Sequence, residues 1–297
     1  MIEFHQYDYL ETETKVTVIC DSTSSLTGSR ATTLLCRVPR FILPELNTHR
    51  VFSRNVASSR AKRFSTLVKD TVFHPKLWIA NHKGMQGSEL LPTWKGWIAD
   101  LLWSSSKWSA VVHGYLLDKL GVSKQFSNRT VEPYCYIDYL VSSTEWDNFL
   151  YQRNDNAAQF EIQVVARKIK QALEENKPVL LKQGEWHLPF VTEKDKIALP
   201  AFKQIQVSVA RCARTSYSTP KNSAGMKDIY DKDIALYDTL VNSKPPHLSP
   251  TEHQLLCDWP NVATSKSNIQ GFTQFRKILE SFQFNQERVN QYVEKAI

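Results

Sequence analysis

The chain has 297 residues, a formal net charge of +7 and a pI near 9.0. Hydrophobic residues make up 42% and charged residues 23%, which excludes a disordered or fibrous chain and leaves room for a substantial core. No apolar run reaches the ~18 residues of a membrane span, so no membrane contact is expected. The five cysteines are dispersed with no CxxC pair, which argues against a disulfide framework and for a reducing, cytoplasmic setting.

In chain order, MIEFHQYDYLETE lacks a signal-peptide pattern. Lys15–Cys20 (KVTVIC) and Ala31–Val38 (ATTLLCRV) are rich in β-branched and apolar residues and predict strands. Pro39 and Pro44 predict a short helical start running toward His49. Ser53–Arg60 has no clean period and predicts a loop. From Trp94 to Leu120, tryptophans and leucines at helical spacing predict one or two buried helices. Thr144 is placed to cap a helix with Glu145 and Asp147 in its first turn, continuing to Leu173 with a break near Asn154–Asn156. Asp228–Val241 predicts an amphipathic helix, and Lys244–Pro250 (KPPHLSP) its stop. Neither GxGxxG nor GxxxxGK[ST] occurs among the nine glycines, which argues against Rossmann and P-loop nucleotide sites. With no repeat and no linker, residues 1–297 read as a single α+β domain.

Between Leu46 and Val68 there is no acid, whereas Arg50, Arg54, Arg60, Lys62 and Arg63 are all cationic. Ser53, Ser58 and Ser59 add hydroxyls and Asn55 an amide. Arginine forks match phosphate oxygens, and hydroxyls fill the remaining acceptor sites. The composition fits either a basic loop on RNA phosphates or a discrete phosphate-ligand site.

Residue order adds to this. H-R-x-x-S-x-N-x-x-S-x-R, from His49 to Arg60, resembles the signature of the flavin-dependent thymidylate synthases. NRTVEPY (128–134) and WDNFLYQRNDNAAQFEI (146–162) resemble that family's Arg-x-x-x-Pro element and its flavin- and pyrimidine-contacting helix. ARCARTSY (210–217) and HLSPTEH (247–253) resemble its A-R-V-S-[FY] and H-x-[ST]-P-F-E-H segments. These two lie carboxyl-terminal to the signature here and amino-terminal to it in the family, so the chain resembles a circular permutant, an arrangement compatible with neighbouring termini. Residues 65–123 and the tail after Trp259 fall outside the likeness.

The resemblance implies a mixed or antiparallel sheet with a helical bundle. It also implies C5 methylation of deoxyuridylate, with FAD as cofactor and with NADPH and methylenetetrahydrofolate as co-substrates. By it, Ser58, Ser59, Arg60 and Arg129 hold the nucleotide phosphate. Arg153, assisted by Arg60, stabilises negative charge on the pyrimidine ring. His49, Arg50, Asn55, Asn148, Ser216, Ser249 and Glu252 hold the flavin, and the assembly is a homotetramer with sites between subunits. No cysteine nucleophile is required. His247 and His253 have no third ligand in register, so no metal site is expected.

Three departures stand out: Thr48 for the first arginine of R-H-R, Val56 for a glutamate, and Glu45 for a glutamine. Glutamate only accepts hydrogen bonds, which suits the exocyclic amine of cytosine better than O4 of uracil. Deoxycytidylate therefore stands as an alternative substrate, with Glu45 paired to Arg40 or Arg50 as the structural alternative. A hydroxymethyl product is equally compatible with the residues. Two rival classes are a nucleic-acid-binding protein using the arginine loop and tryptophans, and a permuted scaffold without catalysis.

Overall fold

β-branched and apolar residues alternate through Lys15–Ser24 (β1) and Arg30–Pro39 (β2), which pair antiparallel about a turn closed by Gly28 at φ 72°. The computed structural model describes residues 13–75, 77–83, 89–217, 226–259 and 267–296. Both predicted strands are present and run longer than their apolar cores. After Pro39 a 3-10 turn leads into the short helix α1 (Leu43–Asn47), as the two prolines indicate. Ser53–Val56 is not loop but strand β3. Its burial alternates, but the inward residues Ser53 and Asn55 are polar, so its hydropathy shows no period.

Next come α2 (Phe64–Leu67), the 27-residue α3 (Thr93–Lys119), α4 (Lys124–Ser127) and a 3-10 segment, Asn128–Tyr134. The Trp94–Leu120 pattern is thus one helix, and it is not buried: Gly114 is its only buried residue. Strand β4 (Tyr136–Ser143) pairs antiparallel with both β2 and β3. Helix α5 (Asp147–Arg153) begins after Trp146 rather than at Thr144, whose hydroxyl accepts instead from the Gln270 amide at 2.9 Å. The expected break follows, and then α6 (Phe160–Glu175).

Strand β5 (Val179–Leu181) completes a five-stranded sheet of order β3-β4-β2-β1-β5. A second sheet is built from β6 (Trp186–His187), β7 (Leu255–Leu256) and β8 (Thr273–Gln274). Helices α7 (Glu193–Ala198), α8 (Ala201–Tyr217), α9 (Met226–Val241), α10 (Phe275–Ser281) and α11 (Gln286–Ala296) surround it. The chain is therefore a mixed α+β fold.

Two cores result. Leu34, Cys36 and Val38 of β2 with Ile137, Tyr139 and Val141 of β4 present one face of the large sheet to Ile162, Val165 and Ile169 of α6. Ile205 and Val209 of α8 pack with Tyr237, Phe275, Leu279 and Val289 in the other. No helix of the described residues is long and apolar enough to cross a membrane.

Candidate functional site

The backbone leaves α1 through Thr48, whose hydroxyl donates to the Glu45 carbonyl (2.6 Å). This turn drives His49 inward against Phe52 and edge-on to Phe149, at ring-centroid distances of 5.6 and 5.0 Å. Arg153, in the last turn of α5, donates from Nε to His49 Nε2 (3.0 Å) and from Nη2 to Thr48 Oγ1 (3.1 Å). Burial, then the charges of Arg153 and Arg54, push the His49 pKa down to about 4. His49 is therefore neutral at pH 7, with its proton on Nδ1 and Nε2 aligning the arginine. The sequence-picked pair His49 and Arg153 meets although the two are 104 positions apart.

Glu45 is half-buried and its Oε2 is buried without a hydrogen-bond partner. It pairs with neither predicted arginine: Arg40 lies 2.9 Å from Glu132, and Arg50 is exposed. Among the five cations of 46–68, Arg54 donates to the Asn47 and His49 carbonyls, and Lys62 pairs with Asp70 at 2.6 Å. Arg50, Arg60 and Arg63 remain exposed and make no ion pair among the described residues.

On β3, Asn55 is buried, donates to the Cys212 carbonyl of α8 (3.3 Å) and leaves Oδ1 unpartnered. Gln274 Nε2 donates to both Ser53 Oγ (3.1 Å) and the Glu252 carbonyl (2.9 Å). The signature strand, α8 and the 3-10 turn Ser249–Glu252 thus abut, so three of the five resembling segments share one region. Their individual side chains differ in state. Ser249 and Asn148 are exposed, and the Glu252 carboxylate is engaged by Arg276. Ser216 lies in the last turn of α8, and its side chain is outside the described residues.

The phosphate candidates gather elsewhere. Ser59 donates to Glu132 Oε1 (2.5 Å), and Arg129, itself exposed, stands 3.9 Å from Glu132 Oε2. Ser58 is half-buried and Arg60 exposed. This group sits where β4 begins, whereas Arg153 sits beyond where β4 ends. Four-residue β3, about 13 Å long, runs between the segments that carry the two. Arg60 thus lies beyond one end of β3's pairing with β4 and Arg153 beyond the other, and Arg60 is exposed. Glu132 was missed in the sequence, although its i,i+3 spacing from Arg129 marked a pair.

A second polar group crosses between the sheets. Ser22 Oγ meets His187 Nδ1 (3.0 Å), and His187 Nε2 meets Thr33 Oγ1 (2.8 Å). Thr33 meets Ser142 Oγ (2.6 Å), and Ser142 meets His253 Nδ1 (2.8 Å). All five residues are buried, and His253 Nε2 has no partner. Burial pushes the pKa of His187 down to about 4 and that of His253 to about 3, the latter aided by His187. His253 entered the sequence reading only as a doubtful metal ligand. Thr33 and Ser142 carried no distinguishing signal, because polar Thr32 and Ser143 stand beside them in the same strands.

A cavity of about 580 Å³ lined by Leu180, Trp186, Leu188, Lys196 and Pro200 contains none of the residues singled out in the sequence. Among the described residues no cluster of three His, Cys, Asp or Glu side chains could hold a metal ion. No protein-family model matches the chain, and no curated protein shows significant similarity to it.

Proposed function

We propose that the chain is a flavin-dependent pyrimidine nucleotide methyltransferase of the thymidylate synthase type, acting on deoxyuridylate. The observation carrying this reading is the convergence of sequence-distant blocks: His49 on Arg153, and β3 against α8 and the Ser249–Glu252 turn. The residues suit an anionic, ring-bearing ligand. Arg50 and Arg60 are uncompensated cations, and Glu45 Oε2 and Asn55 Oδ1 are buried acceptors without donors. On this reading His49, Arg50, Asn55, Asn148, Ser216, Ser249 and Glu252 flank FAD, which supplies the hydride when bound.

The chain's own part is positioning and charge. Neutral His49 holds the Arg153 guanidinium, which stabilises charge gathering on the pyrimidine oxygens as C5 becomes nucleophilic. Arg129, Ser58, Ser59 and Arg60 take the phosphate, in competition with Glu132. In keeping with the homotetramer that the resemblance implies, the reading draws the two ends of one nucleotide site from different copies. Folate and NADPH act as co-substrates.

Incubation with FAD, NADPH, methylenetetrahydrofolate and each pyrimidine monophosphate, followed by mass analysis of the nucleotide, tests it. The expected result is one added methylene on deoxyuridylate, and a loss of about 100-fold or more in turnover for Arg153→Ala. Unchanged nucleotide mass in every combination, despite a flavin absorption band on the protein, would leave only the catalytically silent scaffold.

The partnerless Oε2 of Glu45 favours a second reading, deoxycytidylate, whose amine would satisfy it. Preference for deoxycytidylate that reverses in Glu45→Gln supports it, and preference for deoxyuridylate by both forms rejects it. A basic nucleic-acid binder predicts instead salt-sensitive RNA binding and no chromophore.

A further inference from the structure

Helix α3 is apolar on two sides. Gly114 presses against Phe64 and Thr130, Trp103 meets Tyr134 at 5.1 Å between ring centroids, and Ala110 and Val111 pack on the Phe64 cluster. The opposite side faces solvent. Ten large apolar side chains between Trp94 and Leu120 are exposed there, Trp97, Leu101 and Trp108 by 71, 70 and 67%. At about 100° per residue these ten fall within an arc of about 140°, one unbroken stripe. One charged residue, Lys119, falls within the arc, at its carboxyl-terminal end, and Asp100, on the packed flank, accepts from the Trp78 indole at 2.7 Å. A contiguous apolar patch of this kind marks an interface.

We infer that α3 pairs antiparallel with α3 of a second copy, about a two-fold axis between Ser106 and Lys107. The seam is in the sequence: alternate steps of four and three residues run along the stripe from Trp94 to Lys119, the spacing of a two-helix contact. Antiparallel packing centred there sets Ser105 opposite Trp108 of the partner subunit, a small residue under a large one. It sets Leu101 opposite the partner's Val112 and Ile98 opposite the partner's Tyr115. Lys119 then lies over the partner's Trp94, as it already lies over Tyr115 at 5.4 Å in its own chain. A parallel pair instead stacks Trp108 on itself, leaves a gap at Ser105 and opposes two Lys119 ammoniums. The stripe is thus complementary to its own reverse. At on the order of 100 Å² each, ten side chains offer about 1,000 Å² per copy, above the ~800 Å² per partner of a stable interface.

The experiment is sedimentation equilibrium of the full chain over a wide concentration range, with circular dichroism to confirm folding. The wild type is expected to associate. Leu101→Glu and Trp108→Glu, at exposed positions, are expected to halve the assembly's mass or weaken its dissociation constant by about 30-fold or more. Ser105→Trp is expected to weaken association, and Ser105→Trp combined with Trp108→Ser to restore it, because every layer again joins a large residue to a small one. A wild type that sediments as a single chain overturns the pairing, including one that instead floats with phosphatidylcholine–phosphatidylserine vesicles. Unchanged mass in the glutamate variants, or no rescue by the swap, does the same. The measurement uses no flavin or nucleotide, so it stands or falls apart from the enzymatic reading.

Discussion

At the scale of single residues, burial decides which side chains are available for chemistry. His49 is held neutral and Arg153 is held in place by it, so the arginine reaches a ligand already oriented. The cysteines are the reverse case. Burial pushes the Cys20 thiol up to about 11 and those of Cys36 and Cys135 to about 12, and Cys212 rises for the same reason. A thiolate is the reactive form, and almost none exists on these residues at neutral pH. Native protein treated with iodoacetamide at pH 7.5 is therefore expected to stay unalkylated at these four positions, and urea-unfolded protein to be alkylated at all of them, as read by mass spectrometry. Rapid alkylation of any of the four in the native state would show the thiol to be accessible and ionised after all.

At the scale of elements, α7, α8 and α9 are tied by charge as well as by apolar contact. Arg211 lies 2.6 Å from Asp195 and 3.1 Å from Asp233, and Arg214 lies 2.5 Å from Asp233. Tyr230 donates to Asp195 at 2.8 Å. Removing the buried Asp233 strands the partly buried Arg214 guanidinium and takes one of two carboxylates from Arg211, which keeps Asp195. Asp233→Ala is expected to cost about 2–4 kcal/mol in urea unfolding, and a loss below ~1 kcal/mol would mean that water solvates the arginines freely. Strands β1 and β2 were legible because KVTVIC and ATTLLCRV carry β-branched residues through short runs. Strand β3 was not, since Ser53, Arg54 and Asn55 are polar and pair only through a β4 that lies 80 or more residues away. The helical span of α3 was legible, but its being a single helix and its exposure were not: helical spacing reports an apolar face, and this helix has two. Thr144 failed as a cap because a distant amide, that of Gln270, claims its hydroxyl. In the candidate site, the meeting of His49 with Arg153 followed from residue order. The intrusion of Glu132 among the phosphate candidates follows only from tertiary packing.

At the scale of the whole molecule, the buried histidines make stability depend on pH in one direction. His49, His187 and His253 have folded pKa values of about 4, about 4 and about 3, below the ordinary 6.5. The unfolded chain therefore binds more protons as pH drops through 6.5. The stabilisation is complete above that value and declines until the folded pKa is reached. Asp21 and Asp195, whose carboxyls arginines hold below the usual range, extend the loss to lower pH. Between pH 6.5 and 5.5 the three histidines together are expected to remove roughly 3 kcal/mol, seen as a falling urea midpoint. A midpoint that stays level across that interval would mean the imidazoles are hydrated. The row from Ser22 to His253 carries a further implication. Each neutral member owns a single hydrogen, so the links must all point the same way or a buried donor or acceptor is forfeited. Both imidazoles then adopt the same tautomer, and reversing one reverses the other across the width of the sheet.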